Sequence, residues 1–123
     1  MLVTRSLDAV SAGAAATNGT VAKASGHHPP YVETATIYIQ ASDDPTAEAL
    51  AIVIESRPGP DCDWLVESTF AGAITAEGWS QSTDPGGSGA WIAKTTVAGA
   101  PQIRARTIQS GGSTNVLDVF IVT

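Results

Sequence analysis

The chain has 123 residues, enough for about one domain with a real hydrophobic core. Hydrophobic residues make up 43% of it, which excludes a disordered chain, whereas charged residues are only 15%, against roughly 25% in an average soluble protein. The net charge of −6 and pI near 4.5 argue against a phosphate-binding surface and hence against nucleic acid, because the six basic residues are scattered except for Arg104 and Arg106.

Period-two patterning and turn residues dominate from the start, and no amphipathic helix stands out. Residues 2–10 read as extended. Asn18-Gly19 then reads as a hairpin signal, with "TVAKA" as the return strand, so that residues 1–32 form an extended N-terminal segment or hairpin ahead of a core over 33–123. "GHHPPY" is loop, because proline cannot donate to a ladder. "ETATIYIQA" sets Thr36 and Tyr38 against Ile37 and Ile39. "ALAIVIES" is apolar on both faces, as expected of a central strand. Pro58-Gly59-Pro60-Asp61 is turn chemistry, and "DWLVEST" opens the next strand. Further strands are predicted at "GWSQS", "AWIAKTTV", "QIRARTIQ" and "VLDVFIVT", joined by Gly/Pro/Ser/Asn-rich connectors. About eight short strands with a turn signal every eight to twelve residues predict an all-β fold: a single immunoglobulin-like antiparallel β-sandwich.

The last strand is apolar on both sides, with Leu117, Val119 and Ile121 on one face and Val116, Asp118, Phe120 and Val122 on the other. Its second face therefore expects a cover, either the N-terminal segment or a partner subunit.

Several groups invite a chemical reading, each beside a plainer one. Asp61-Cys62-Asp63 offers metal ligands or a thiol, but a Ca²⁺ site takes six to eight oxygens and a Zn²⁺ site usually four side chains. Nothing nearby completes either set, which leaves a turn. His27-His28 is a loop pair or, less simply, a base or a ligand pair. Gly86-Gly87 and Gly111-Gly112 lack a phosphate-loop lysine, and no Gly-x-Ser-x-Gly elbow occurs. These residues predict no catalytic, metal or cofactor site. Trp64, Trp79 and Trp91 either fill the core and its rim or form a platform; Trp79 and Trp91 are the candidate glycan platform. Arg104 and Arg106 share one strand face, where they grip an acidic partner or pair with carboxylates of neighbouring strands. Cys62 is the sole cysteine, so no intrachain disulfide forms. Arg5 and Asp8 interrupt any signal-peptide core, and no run approaches a membrane span of about 18 apolar residues.

The order of motifs carries a resemblance. "SLDAVSAGAAATNGTV", an extended "TATIYIQA", "DWLVEST" after a turn and "AWIAKTTVAGAPQIRARTIQSGGSTNVLDVFIV" at the end resemble a group of small bacteriophage virion proteins. In that group a Trp opens a strand after a turn, and an Arg strand, a Gly-Gly turn and a last strand end the chain as a hairpin. Trp64, residues 102–109 and Gly111-Gly112 take those places. The sequence differs in its turn, "SRPGPDCDW", and in Gln102-Ile103 before the Arg strand. The resemblance implies a non-enzymatic capsid decoration (cement) or minor head protein, made in the host cytoplasm and carried on the phage head. Its implied partners are the major capsid protein and copies of itself, without nucleic acid or membrane. The alternative is a tail or fibre component that recognises host carbohydrate. Leu2, Val3, Leu7, Phe120, Val122, Arg104 and Arg106 are the candidate partner interface.

Overall fold

The computed structural model describes residues 2–12, 17–23, 34–45, 51–71, 78–81, 91–98, 101–108 and 115–123. Nine strands occur among them: β1 (Val3–Ser11), β2 (Ala22–Lys23), β3 (Thr34–Ala41), β4 (Ala51–Arg57), β5 (Leu65–Ala71), β6 (Ser80–Gln81), β7 (Trp91–Ala98), β8 (Gln102–Ile108) and β9 (Val116–Val122). Thr, Ile, Val and Tyr recur in the longer ones, side chains that suit a pleated, half-buried surface. All pairings are antiparallel, in a five-stranded sheet of order β1-β9-β3-β7-β6 and a four-stranded sheet of order β2-β8-β4-β5. The all-β two-sheet sandwich is therefore as the sequence predicts.

The order of the strands has a simple origin. With the two-residue edge strand β6 set aside, β1 pairs with β9, β2 with β8, β3 with β7 and β4 with β5, each strand with its counterpart from the other end. One long antiparallel ribbon, with its tip at residues 58–64, has been rolled up. The β3–β9 and β4–β8 pairings close the roll. This is the strand order of a jelly roll, and it refines the immunoglobulin-like expectation, since the last two strands of an immunoglobulin sandwich are sheet neighbours. Here β8 and β9 lie in different sheets, which also corrects the expected terminal hairpin.

The expected Asn18-Gly19 hairpin is corrected in the same way. Residues 17–23 do not return along β1 but follow β8 in the other sheet: Asn18 bridges Arg106, and Ala22 faces Ile103. The corner is held by buried Ser6, whose Oγ donates to the Thr20 carbonyl (2.8 Å) and accepts from the Ala105 amide (2.9 Å). Gly19 donates its amide to the Ala105 carbonyl at 2.7 Å. A Cβ on Gly19 would lie 2.5 to 2.6 Å from Ser6 Oγ, the Ser6 carbonyl and the Ala105 carbonyl. Glycine is needed for close approach, not for a turn.

The core lies between the sheets, built from alternate residues such as Ile37, Ile39, Ile52, Ile54, Leu117 and Ile121, all fully buried. β4 is buried on both faces, as its sequence predicts, since Val53 and Glu55 on its outward side are also covered. Leu7 is 1% exposed and belongs to this core, so the chain itself uses it and it is not an interface residue. β1 lies beside β9 as a strand neighbour and residues 17–23 lie along the other sheet, so the described part of the N-terminal segment does not cover the outer face of β9.

Candidate functional surfaces

Each sheet presents its outward face differently. On β9, Leu117, Val119 and Ile121 point into the core, so alternation turns Val116, Asp118, Phe120 and Val122 outward. Register then sets Arg5, Phe120, Tyr38 and Lys94 in one row across β1, β9, β3 and β7. The Arg5 guanidinium lies 5.5 Å from the Phe120 ring centre, and the Lys94 amine 5.3 Å from that of Tyr38. Arg5 also pairs with Asp118 and, at 3.0 Å, with Asp8. Asp118 accepts the Ala9 amide at 2.9 Å, where Ala9 has φ 49° in an irregular stretch of β1. Around this row Val3, Tyr38, Ile92 and Val116 are 38 to 55% exposed, and Phe120 and Val122 are half-buried. Leu2 is exposed at the start of β1. Val3, Phe120 and Val122 thus come together on the outer face of the five-stranded sheet, whereas Leu2, paired with Thr123, has the opposite parity.

The outer face of the four-stranded sheet holds a charge cluster. Glu55 sits opposite Arg104, two residues along from the Val53–Arg106 pair and on the same face. Its carboxylate accepts Arg104 Nε and Arg106 Nε, both at 2.9 Å, and its side chain is 6% exposed under those arms. Burial pushes the Glu55 pKa up, but the hydrogen bonds and positive charges of Arg106 and Arg104 outweigh it and hold the group below the ordinary carboxylate value. Trp64 completes the cluster, its ring 4.3 Å from the Arg57 guanidinium and 4.2 Å from that of Arg104. Arg57 Nε donates to Gln102 Oε1 at 2.7 Å. Arg104 and Arg106 therefore pair inside the chain, on the sheet opposite to Phe120 and Val122, and the seven candidate interface residues do not form one surface.

Trp64, which the sequence left between core, rim and platform, is half-buried against two arginines, outside the core cluster. Trp79 and Trp91, the candidate glycan platform, are partly buried against the core near the β6–β7 edge. The Asp61-Cys62-Asp63 residues are exposed in the ribbon tip, where the Cys62 amide donates to the Gly59 carbonyl at 3.1 Å and closes a β-turn with Pro60 and Asp61 at its centre. Among the described residues no three His, Cys, Asp or Glu side chains converge on a point that could hold a metal. His27-His28, Gly86-Gly87 and Gly111-Gly112 lie outside the described residues.

Patterning missed two residues of these surfaces. Glu55 was signalled by a lone carboxylate within an apolar strand, on the parity opposite to Ile52 and Ile54. Tyr38 was signalled by alternation in β3, but its alignment with Phe120 depends on a pairing between strands some eighty residues apart. No protein-family model matches the chain, and neither a curated protein nor a solved structure matches it.

Proposed function

We propose that this chain is a non-enzymatic virion structural protein, a capsid decoration protein that docks on a phage head and reinforces it. The observation that carries the reading is the outer face of the five-stranded sheet, where Val3, Tyr38, Ile92 and Val116 are exposed beside Phe120 and Val122. Apolar and aromatic side chains spread over one face of a rigid sandwich suit burial against a second protein. Burial at roughly 25 cal/mol/Å² is modest per copy but accumulates when repeated over a lattice. The motif order resembles that of small phage virion proteins, and jelly rolls recur in viral capsid domains; this second support is analogy from fold.

The test uses shells assembled from the major capsid protein of the phage whose genome carries this chain. Wild-type protein is expected to decorate those shells and raise their melting temperature, and a Val3→Asp/Tyr38→Asp variant to stay folded but lose occupancy. Absence of wild-type binding, or full occupancy by the folded variant, overturns the proposal. Jelly rolls also include lectin domains, so a glycan array is run in parallel. Specific sugar binding without shell binding would favour a host-recognition role.

A further inference from the structure

The two sheets have four edges, and three of them are protected. β2 and β6 show two described residues each, with Lys23 on the one and exposed, polar Ser80 and Gln81 on the other. β1 has nine residues but is broken by two register shifts, holds Ala9 at φ 49° and carries Arg5 and Asp8. Short strands, bulges and charges are the usual means of keeping an edge from pairing. β5 is less protected. It has seven residues, and among the described residues no strand pairs with it on the side away from β4. Leu65 is 65% exposed, the most exposed large hydrophobic among the described residues, and Val66 beside it is 49% exposed. Its one charge, Glu67, sits at its one register shift, and Ser56 donates a hydrogen bond to that carboxylate.

We propose that β5 is a self-association edge: two copies of this chain pair β5 against β5, antiparallel about a two-fold axis. The two four-stranded sheets would then form one sheet of about eight strands. A second copy is the favoured occupant because strand addition needs an extended segment with an open edge on each side, and β5 is itself such a segment. A two-fold axis uses each edge once, so assembly closes at the dimer. The charges select the register. Centring the axis on Glu67 would set two carboxylates directly opposite, which is destabilising. Centring it on Val66 sets Val66 against its own copy, and Leu65 against the aliphatic stem of Glu67. Each chain has a net charge of −6, so whole copies repel one another. The contact is apolar and backbone-driven, and salt strengthens it by screening that repulsion.

This inference is independent of the virion reading and is tested on the isolated full chain. Sedimentation over a range of concentrations is expected to show a monomer–dimer equilibrium that moves toward dimer as NaCl is raised. Cys62 is the chain's single cysteine and is exposed, four positions before Val66. Spin labels there would lie eight residues apart along the paired strands, about 25–30 Å at ~3.4 Å per residue. Val66→Lys places two like charges beside the axis and is expected to give a monomer with a wild-type melting curve, while Val66→Thr keeps the dimer. A monomer at every concentration and salt, a dimer that survives Val66→Lys, or a label distance far outside that range overturns the proposal.

Discussion

Glu55→Gln is the most informative single perturbation of this fold. The carboxylate is 6% exposed and holds two guanidiniums at 2.9 Å, so among the described residues it is the negative charge that lets Arg104 and Arg106 lie across the outer face of the four-stranded sheet. Glutamine keeps the volume but removes the charge, and its NH₂ group faces a guanidinium with nothing to accept its hydrogen. Removing one partner of a buried pair costs about 3–5 kcal/mol. The arginines are 16 and 28% exposed and can regain water, so about 2–3 kcal/mol is the working figure. For a chain of this length that corresponds to a melting temperature lower by roughly 10 °C. The pH dependence has a definite sign. Because the folded pKa of Glu55 is lowered, its contribution is fully present above the unfolded value and is lost as pH falls through the folded one. Melting curves of wild type and Glu55→Gln should therefore stand far apart at neutral pH and converge in acid, below the ordinary carboxylate range. Curves that coincide at pH 7, or a gap that persists unchanged in acid, would refute the assignment of this carboxylate as the anchor of the cluster.

Other substitutions separate core from surface. Trp64→Ala removes contacts with two guanidiniums rather than core volume, so about 1–2 kcal/mol is expected at ~0.5–1 kcal/mol per cation–π contact, well below the ~3–5 kcal/mol of a core Trp; a denaturant titration decides. Gly19→Ala puts a methyl 2.5 to 2.6 Å from three atoms, two of them backbone, and should prevent accumulation of folded protein; soluble expression with a near-native melting curve would show that the corner can relax. Leu7→Ala is expected to cost about 2–5 kcal/mol by urea titration, as for other fully buried leucines. Deleting residues 1–10 removes Leu7 and most of β1 with it, so that truncation should fail to fold, as circular dichroism would show.

Strand existence was legible because alternation is local. "TATIYIQA" and "QIRARTI" announce their inward faces residue by residue, and both are strands with the predicted side inward. Sheet membership was not legible, because it depends on pairings between distant segments. Asn18-Gly19 has the composition of a two-residue hairpin turn, yet Gly19 is there to let three backbone segments meet at Ser6 and Ala105. The same residue type satisfies a positive φ in one setting and the lack of a Cβ in another, and a local reading cannot separate the two. In the ribbon tip, by contrast, Pro60 and Asp61 are the centre of a turn that closes within four residues, so composition sufficed there.

For the surfaces, parity predicted which residues share a face but not which face they share with a neighbour. Arg104 and Arg106 were correctly placed on one side of β8, and the choice between an acidic partner and an internal carboxylate rested on what β4 brings beside them. It brings Glu55, and the rolled ribbon explains why. Pairing β4 with β5 at the tip and with β8 at the seam places one glutamate between an aromatic approach from the turn and two arginines from the far strand. Three of the chain's six basic residues are held in this cluster, Arg57 and Arg104 against the Trp64 ring and Arg104 and Arg106 against Glu55. Arg5 is held by Asp118 and Asp8 on the opposite sheet. With four of its six basic residues held in internal contacts, the partner contacts proposed above rest on apolar and backbone groups. That is the chemistry offered by the Tyr38–Phe120 face and by the open edge of β5.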